Sequence, residues 1–167
     1  MKVWRYGDNV NTDQLFPGKH TYTCSTSEEI LPHLLEDLDP SFASSVKPGD
    51  VIVAGKNFGC GSSREQPALG LKAAGLAGIV AESFARIFYR AAINQGLVLV
   101  ELPEAVAAWR ESDEITIEPA AGVIHVGDRS FQVPPLPEML LSIRDAGGLL
   151  PAVRARLEIE RRTENHD

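Results

Sequence analysis

One stretch decides the fold of this chain: Val51-Ile52-Val53-Ala54-Gly55-Lys56-Asn57-Phe58-Gly59-Cys60-Gly61-Ser62-Ser63-Arg64-Glu65. An apolar run over Val51–Ala54 predicts a buried strand, and a loop with three glycines, two serines and an arginine follows it. A helix is predicted from about Ser63 to Ala74, and Pro67 is compatible with its first turn. Free N–H groups at a helix start favour anions, and an arginine can hold a carboxylate. The residues alone leave two interpretations: an anion-binding loop, or a glycine-rich turn with a capping serine.

The segments after this loop predict an α/β fold. Ile79–Ala81 and Leu97–Val100 are short apolar runs typical of buried strands, and a helix that Ser83 caps should end at Gly96. The alternation of strand and helix over residues 51–101 predicts parallel pairing with crossover helices.

Beyond these elements the pattern changes to three short strands with turns between them, which predict antiparallel pairing: Ile115–Ile117, Val123–Val126 and Ser130–Val133. A helix over about Glu138–Ala146 and an apolar turn over Leu149–Leu157 follow, and the charged tail from Glu158 is expected to fray. We therefore expect one domain over residues 1–167, with a mixed parallel and antiparallel sheet and flanking helices.

The N-terminal third contains many turn signals. Lys2–Tyr6 alternates polar and apolar residues and predicts a strand. The Asx and Thr side chains of Gly7–Asp13 favour turns and caps over a pair of metal-binding acids, because no histidine or third acid is close by. A helix should begin at the serines and acids of Ser25–Glu29 and reach about Asp37. His33 is predicted to be a surface or partly packed residue rather than a ligand.

Composition narrows the class of protein. The net charge of −7 and the pI near 5.1 argue against a general affinity for nucleic acid. Two cysteines, Cys24 and Cys60, favour reduced thiols in a cytosolic protein and are too few for an iron–sulfur cluster of the usual kind. The N-terminus has no signal-type apolar run, and no segment has the length of a membrane span. We expect a cytoplasmic protein.

The glycine loop does not fit three well-known motifs. The lysine of a P-loop is missing, and the dinucleotide fingerprint starting at Gly59 fails because Arg64 occupies the position of its last glycine. The Gly-x-Ser-x-Gly nucleophile elbow is also absent. What remains is a pair of hydroxyl groups beside a fixed cation.

The run Asn57-Phe58-Gly59-Cys60-Gly61-Ser62-Ser63-Arg64-Glu65 resembles the signature of the swivel domain of the aconitase superfamily, and most closely that of the separately encoded small subunits of 3-isopropylmalate dehydratase and homoaconitase. The resemblance covers most of the chain, since three further blocks match in the right order: Gly7–Gly18, Glu36–Pro40 and Ser83–Arg90. It implies a swivelling β/β/α domain.

The resemblance also implies a chemistry. Such enzymes move a hydroxyl group between neighbouring carbons of a hydroxy-acid by dehydration and rehydration. By position in the motif, Ser62 matches the catalytic base, and Ser63 and Arg64 match residues that bind a substrate carboxylate. No cofactor is expected on this chain. A four-iron cluster is expected on a large-subunit partner, so the chain should be active only in a heteromer. No nucleic-acid or membrane partner is expected.

Two departures from the family pattern bear on mechanism and substrate. Many relatives carry histidine where this chain has Gln66, whose amide cannot relay a proton. The substrate-specificity loop, His20-Thr21-Tyr22-Thr23, has Tyr22 where relatives carry an arginine that meets an extra carboxylate. An aromatic residue there favours an apolar substituent.

Tyr22 thus favours an isopropyl or methyl substituent over a third carboxylate. Together with the resemblance, this implies isomerisation of 2-isopropylmalate to 3-isopropylmalate, a step of leucine biosynthesis. A homoaconitase or dimethylmalate-type dehydratase subunit is the alternative within the same class of enzyme. A non-catalytic anion-binding regulatory module is the alternative from another class.

Overall fold

The computed structural model describes residues 1–164, with side chains as far as Ile159. The described residues contain seven strands: β1 Val3–Arg5, β2 Val51–Ala54, β3 Gly78–Ala81, β4 Leu99–Glu101, β5 Ile115–Glu118, β6 Val123–Val126 and β7 Arg129–Gln132. The same residues contain eight α-helices: α1 Thr12–Leu15, α2 Ser27–Ile30, α3 Phe42–Ser45, α4 Gln66–Ala73, α5 Arg86–Asn94, α6 Pro103–Ala108, α7 Glu138–Asp145 and α8 Leu149–Glu164. None of the described helices combines the length and the apolar character needed to cross a membrane.

The strands form two sheets. β1 to β4 lie side by side in chain order and are all parallel, with Val51 of β2 opposite Gly78 of β3. β5 to β7 form an antiparallel sheet in which Ile117 lies opposite Ile124. The predicted α/β class, with parallel pairing in the centre and antiparallel pairing after it, is confirmed. The expectation of one mixed sheet is wrong, because the two kinds of pairing occupy separate sheets that pack on a shared apolar core.

The parallel sheet is buried on both faces, as the apolar run of β2 predicts. Alternate residues point to opposite sides, so Ile52 and Ala54 enter a core that also contains Leu71 of α4 and Phe88 of α5. Val51, Val53 and their neighbours enter a second core with α6 and the antiparallel sheet. The strand that precedes the glycine loop is therefore fixed from both sides.

The long helix predicted after Ser25–Glu29 is wrong in length. Its start is correct, because Thr26 and Glu29 form a capping box. However, α2 ends at Ile30 and passes into a 3₁₀ turn, Leu31–His33. Pro32 lacks the N–H that the next helical turn needs, and Leu35 has a φ of +55°.

Three other boundaries differ from the sequence expectation. The helix predicted from Ser63 begins only at Gln66, as α4. Ser83 caps no helix, because α5 begins at Arg86 and the Ser83 hydroxyl instead accepts the backbone N–H of Asn57 at 2.8 Å. Helix α8 continues through the charged residues that were expected to fray, as far as Glu164, and residues 165–167 lie outside the described part of the chain.

Candidate active site

The glycine loop leaves the carboxyl end of β2 through a series of left-handed backbone positions. Asn57, Gly59 and Gly61 have φ values of +57°, +79° and +105°. Gly59 is required for a second reason, since a Cβ atom there would lie 2.2 Å from Cγ of Phe88. The glycines of the motif therefore set the path of the backbone that leads to Ser62.

The N-terminal segment holds the loop in place through backbone hydrogen bonds. The N–H of Gly59 donates to the carbonyl of Val10 at 2.7 Å, and the N–H of Thr12 donates to the carbonyl of Cys60 at 2.7 Å. The N–H of Ser62 donates to the hydroxyl of Thr12, which is 1% exposed, at 2.9 Å. The position of the serine backbone is thus fixed by a buried threonine from a distant part of the sequence.

The capping prediction for this N-terminal segment is confirmed. The Asn11 side chain and Gln14 form a capping box at the start of α1. The two acids take different structural roles, because Asp8 accepts the backbone N–H of Lys56 and Asp13 accepts from Arg64.

Ser62 and Ser63 are both exposed, and neither hydroxyl hydrogen-bonds to another described residue. They precede α4, whose N-terminal cap at Glu65 has no side-chain hydrogen bond. The interpretation of a turn with a capping serine is therefore wrong. The free N–H groups of α4 begin after Glu65, further along the chain than the serines, so they support an anion at Ser62 and Ser63 less than the sequence predicts.

Arg64 is fixed by two hydrogen bonds from the ends of its guanidinium group. Nη1 donates to the hydroxyl of Thr21 at 2.8 Å, and Nη2 donates to Oδ1 of Asp13 at 2.6 Å. The Arg64 side chain is 15% exposed, and its buried Nε has no hydrogen-bond partner among the described residues. An arginine has five N–H donors, so this one retains donors for a ligand.

The predicted substrate-specificity loop meets Arg64 through Thr21 rather than Tyr22. The carbonyl of Thr21 also accepts a hydrogen bond from Nε2 of Gln66 at 3.2 Å. Tyr22 is 99% exposed and Thr23 is exposed. The side-chain amide of Gln66 thus joins the start of α4 to the predicted specificity loop. The sequence alone did not predict this structural role.

Glu36 anchors the His20 end of the loop. Its carboxylate contacts Nε2 of His20 at 3.0 Å, Nδ1 of His33 at 2.8 Å and Nζ of Lys19 at 2.5 Å. The hydrogen bond from Lys19, followed by that from His33, lowers the pKa of Glu36 to about 2. His33 is partly buried, within the range that the sequence predicted, but it has partners that the sequence did not predict.

Sequence reasoning missed Thr12 and Asp13 as parts of the site. Both lie in the N-terminal motif Gly7–Gly18. This motif and the glycine loop both belong to the family pattern, and that co-occurrence could have indicated that the two segments meet. The structure explains that co-occurrence, because a parallel bridge joins Asn11 of the N-terminal motif to Cys60 of the glycine loop. A second parallel bridge, between Phe58 and Phe84, joins the loop to the block Ser83–Arg90.

Comparison with known proteins agrees with this geometry. The profile of the aconitase C-terminal domain family matches residues 8–105. The chain belongs to this family, as the sequence motifs predicted.

Individual relatives cover nearly the whole chain. The 3-isopropylmalate dehydratase small subunit of Thermodesulfovibrio yellowstonii is 42% identical over 95% of each chain. The 2,3-dimethylmalate dehydratase small subunit of Eubacterium barkeri is 46% identical over 92% of this chain and 94% of that protein. A crystal structure of 3-isopropylmalate dehydratase from Methanocaldococcus jannaschii has a TM-score of 0.85 and 34% identity, and the match covers 97% of this chain and 96% of that one.

Proposed function

We propose that this chain is the small subunit of a hydro-lyase that isomerises 2-isopropylmalate to 3-isopropylmalate by dehydration and rehydration. The observation that carries the proposal is the exposed pair of free hydroxyls, Ser62 and Ser63, next to an arginine whose position is fixed. The names of the relatives support dehydration of 3-isopropylmalate, and the isomerisation is what the resemblance to the family implies. A non-catalytic module would have no need to hold Arg64 beside two unpaired hydroxyls.

In the proposed mechanism, Ser62 accepts the proton from the substrate carbon, and Ser63 and Arg64 hold a substrate carboxylate. Arg64 can form two parallel hydrogen bonds to a carboxylate, which orients the substrate toward Ser62. Its positive charge, next in sequence to the serines, also favours the ionised form of a hydroxyl. The hydrogen bond from Ser62 N–H to Thr12 keeps the base at one position.

The site requires a second chain. A four-iron cluster on the large subunit would act as the Lewis acid for the departing hydroxyl group. The exposure of Ser62 and Ser63 supports this arrangement, because a site that excludes water needs a cover over them. We expect the enzyme to act in the cytoplasm.

The test is reconstitution of the Ser62→Ala variant with the large subunit under anaerobic conditions. Loss of the base is expected to lower kcat by about 10³-fold, since general acid–base catalysis contributes about 10²- to 10⁴-fold and the adjacent hydroxyl of Ser63 is assigned to the substrate carboxylate. Binding to the large subunit, measured by size-exclusion chromatography, should not change.

Ser130→Ala is the matched control, because Ser130 lies in β7 of the antiparallel sheet and its hydroxyl contacts His125 on the neighbouring strand β6. It should retain the activity of the unmodified chain. If Ser62→Ala assembles normally and keeps more than a tenth of the activity, Ser62 is not the base.

A second candidate is 2,3-dimethylmalate dehydration, favoured by the 46% identity to the Eubacterium barkeri protein. Both substrates carry small apolar substituents, which agrees with an aromatic residue at Tyr22. Measuring kcat/KM for 2-isopropylmalate and 2,3-dimethylmalate on the same reconstituted enzyme separates the two candidates.

A further inference from the structure

Two histidines and a cysteine meet beside the specificity loop. The ligand atoms of His20, Cys24 and His33 all lie within 4.8 Å of one another. His20 ends the 3₁₀ turn Gly18–His20, and His33 ends the 3₁₀ turn Leu31–His33. Two sequence segments are therefore folded back on each other at this point.

One carboxylate holds the two histidine rings beside each other. They stack with centroids 3.8 Å apart and an interplanar angle of 23°. Glu36 contacts one nitrogen of each ring, Nε2 of His20 and Nδ1 of His33. A carboxylate that accepts the N–H of a neutral imidazole leaves the lone pair on the other nitrogen, and zinc-binding histidines commonly donate to a carboxylate in this way.

We propose that His20, Cys24 and His33 bind a Zn²⁺ ion, with Glu36 orienting the two imidazoles. One thiolate and two imidazoles match the ligand preference of this borderline-soft ion. Ligands of a tetrahedral zinc lie about 3.3–3.7 Å apart, given Zn–N and Zn–S bonds of about 2.0–2.3 Å. Binding therefore requires the ligand atoms to approach by about 1 Å and the two rings to rotate out of their stack, so that both lone pairs point at the ion. This site differs from the expectation that the chain carries no metal ligands.

The surrounding charges favour a cation. Two carboxylates lie near one ammonium group. Nζ of Lys19 is 2.5 Å from Oε1 of Glu36 and 3.7 Å from Oδ1 of Asp37. Cys24 is 8% exposed, so a bound thiolate would be protected from solvent. With Glu36 paired to Lys19, the thiolate supplies the negative charge that the ion meets directly.

The site would fix the loop that contacts Arg64. Thr21 and Tyr22 lie between the ligands His20 and Cys24, and Thr21 accepts from Arg64. Because both ends of this segment would bind the same ion, its conformations would be restricted. The inference concerns metal binding by the chain itself and holds whichever substrate the enzyme takes.

The experiment is titration of the full chain, freed of metal by a chelator, with Co²⁺ and then Zn²⁺. We expect one equivalent of Co²⁺ to give the intense visible bands of a tetrahedral ion and a near-ultraviolet thiolate charge-transfer band, and Zn²⁺ to displace it. Cys24→Ser and His33→Ala should each weaken Zn²⁺ binding by about 100-fold or more, and Glu36→Gln by about 10- to 100-fold.

Two matched controls identify the site. Cys60→Ser removes the other cysteine, and His125→Ala removes a histidine of the antiparallel sheet that contacts Glu118 and Ser130. Both should bind Zn²⁺ as the unmodified chain does. The inference is overturned if the unmodified chain gives no thiolate charge-transfer band, if Cys24→Ser and His33→Ala retain full affinity, or if Cys60→Ser loses as much. The spectrum of the unmodified chain decides the matter even if a variant fails to fold.

Discussion

Replacing Asp50 with asparagine is expected to lower the free energy of unfolding by about 2–4 kcal/mol at pH 7. Asp50 is 2% exposed, and three groups donate to it: Lys2 N–H to Oδ1 at 2.7 Å, and Trp4 Nε1 and Lys47 N–H to Oδ2 at 3.1 and 3.0 Å. An asparagine oxygen can keep the two donors at Oδ2, but its NH₂ group then faces the N–H of Lys2. One buried donor is left unpaired, at a cost of about 1–3 kcal/mol, and the two remaining bonds lose the carboxylate charge.

The same contacts give stability a pH dependence. Burial alone would raise the pKa of Asp50, but the hydrogen bonds from Lys2, Lys47 and Trp4 outweigh it, and the pKa is lower than usual. A carboxyl with a lowered folded-state pKa contributes stability above its unfolded pKa of about 3.9 and loses it as pH falls through the folded value. The deficit of Asp50→Asn should therefore be constant from about pH 5 to 7 and shrink below about pH 4.

Urea unfolding followed by circular dichroism at pH 7 and pH 3 measures this deficit, and thermal unfolding at pH 7 should show a loss of roughly 4–16 °C in Tm. Asp128→Asn is the matched control, because Asp128 is exposed in the turn between β6 and β7, and it should change stability by less than about 0.5 kcal/mol. The reasoning fails if Asp50→Asn is as stable as the unmodified chain at pH 7, or if its deficit is equally large at pH 3.

Three further predictions concern the site. Arg64→Lys should lower kcat/KM by about 100-fold in steady-state assays of the reconstituted enzyme, because an ammonium group cannot form the bidentate contact; a loss under threefold would contradict the assigned role. Tyr22→Arg should raise turnover of homoaconitate relative to 2-isopropylmalate, and an unmodified enzyme that already turns over homoaconitate as fast as 2-isopropylmalate would disprove the role of Tyr22. Gly59→Ala should destabilise the chain by about 3 kcal/mol or more in urea, since the new methyl group meets Phe88. Gly147→Ala, with a φ of +84° and no atom within 4 Å, isolates the backbone strain and should cost only about 1–2 kcal/mol.

The parts of the fold that the sequence predicts are those with a simple periodicity. β2 and β3 are fully buried apolar runs separated by a helix, and this pattern has few alternatives to parallel pairing. β6 alternates half-buried and buried residues, and this period of two identifies it as a strand. The predicted boundaries are wrong where tertiary contacts override local signals. Serine is a common helix cap, but the hydroxyl of Ser83 accepts the backbone N–H of Asn57 in the glycine loop.

The candidate site was predictable in composition but not in geometry. The motif gave Ser62, Ser63 and Arg64, while their partners Thr12, Asp13 and Thr21 lie 43 to 51 residues away in sequence. Such contacts depend on how the N-terminal segment crosses the end of the sheet, which no local pattern encodes. The grouping of His20 with His33 depends in the same way on the early end of α2, where the sequence predicted a continuous helix.

The contacts of Arg64 join the two tasks of the site. Its partner Asp13 is 68% exposed, so this ion pair contributes only about 0–1 kcal/mol and gives little resistance to a competing substrate carboxylate. Its other partner, Thr21, belongs to the loop that is proposed to select the substrate. A change in that loop therefore acts on the arginine that is proposed to hold the substrate carboxylate, as well as on the proposed selection of the substituent. Loop variants should for this reason alter kcat/KM for every substrate, and not only the ratio between substrates.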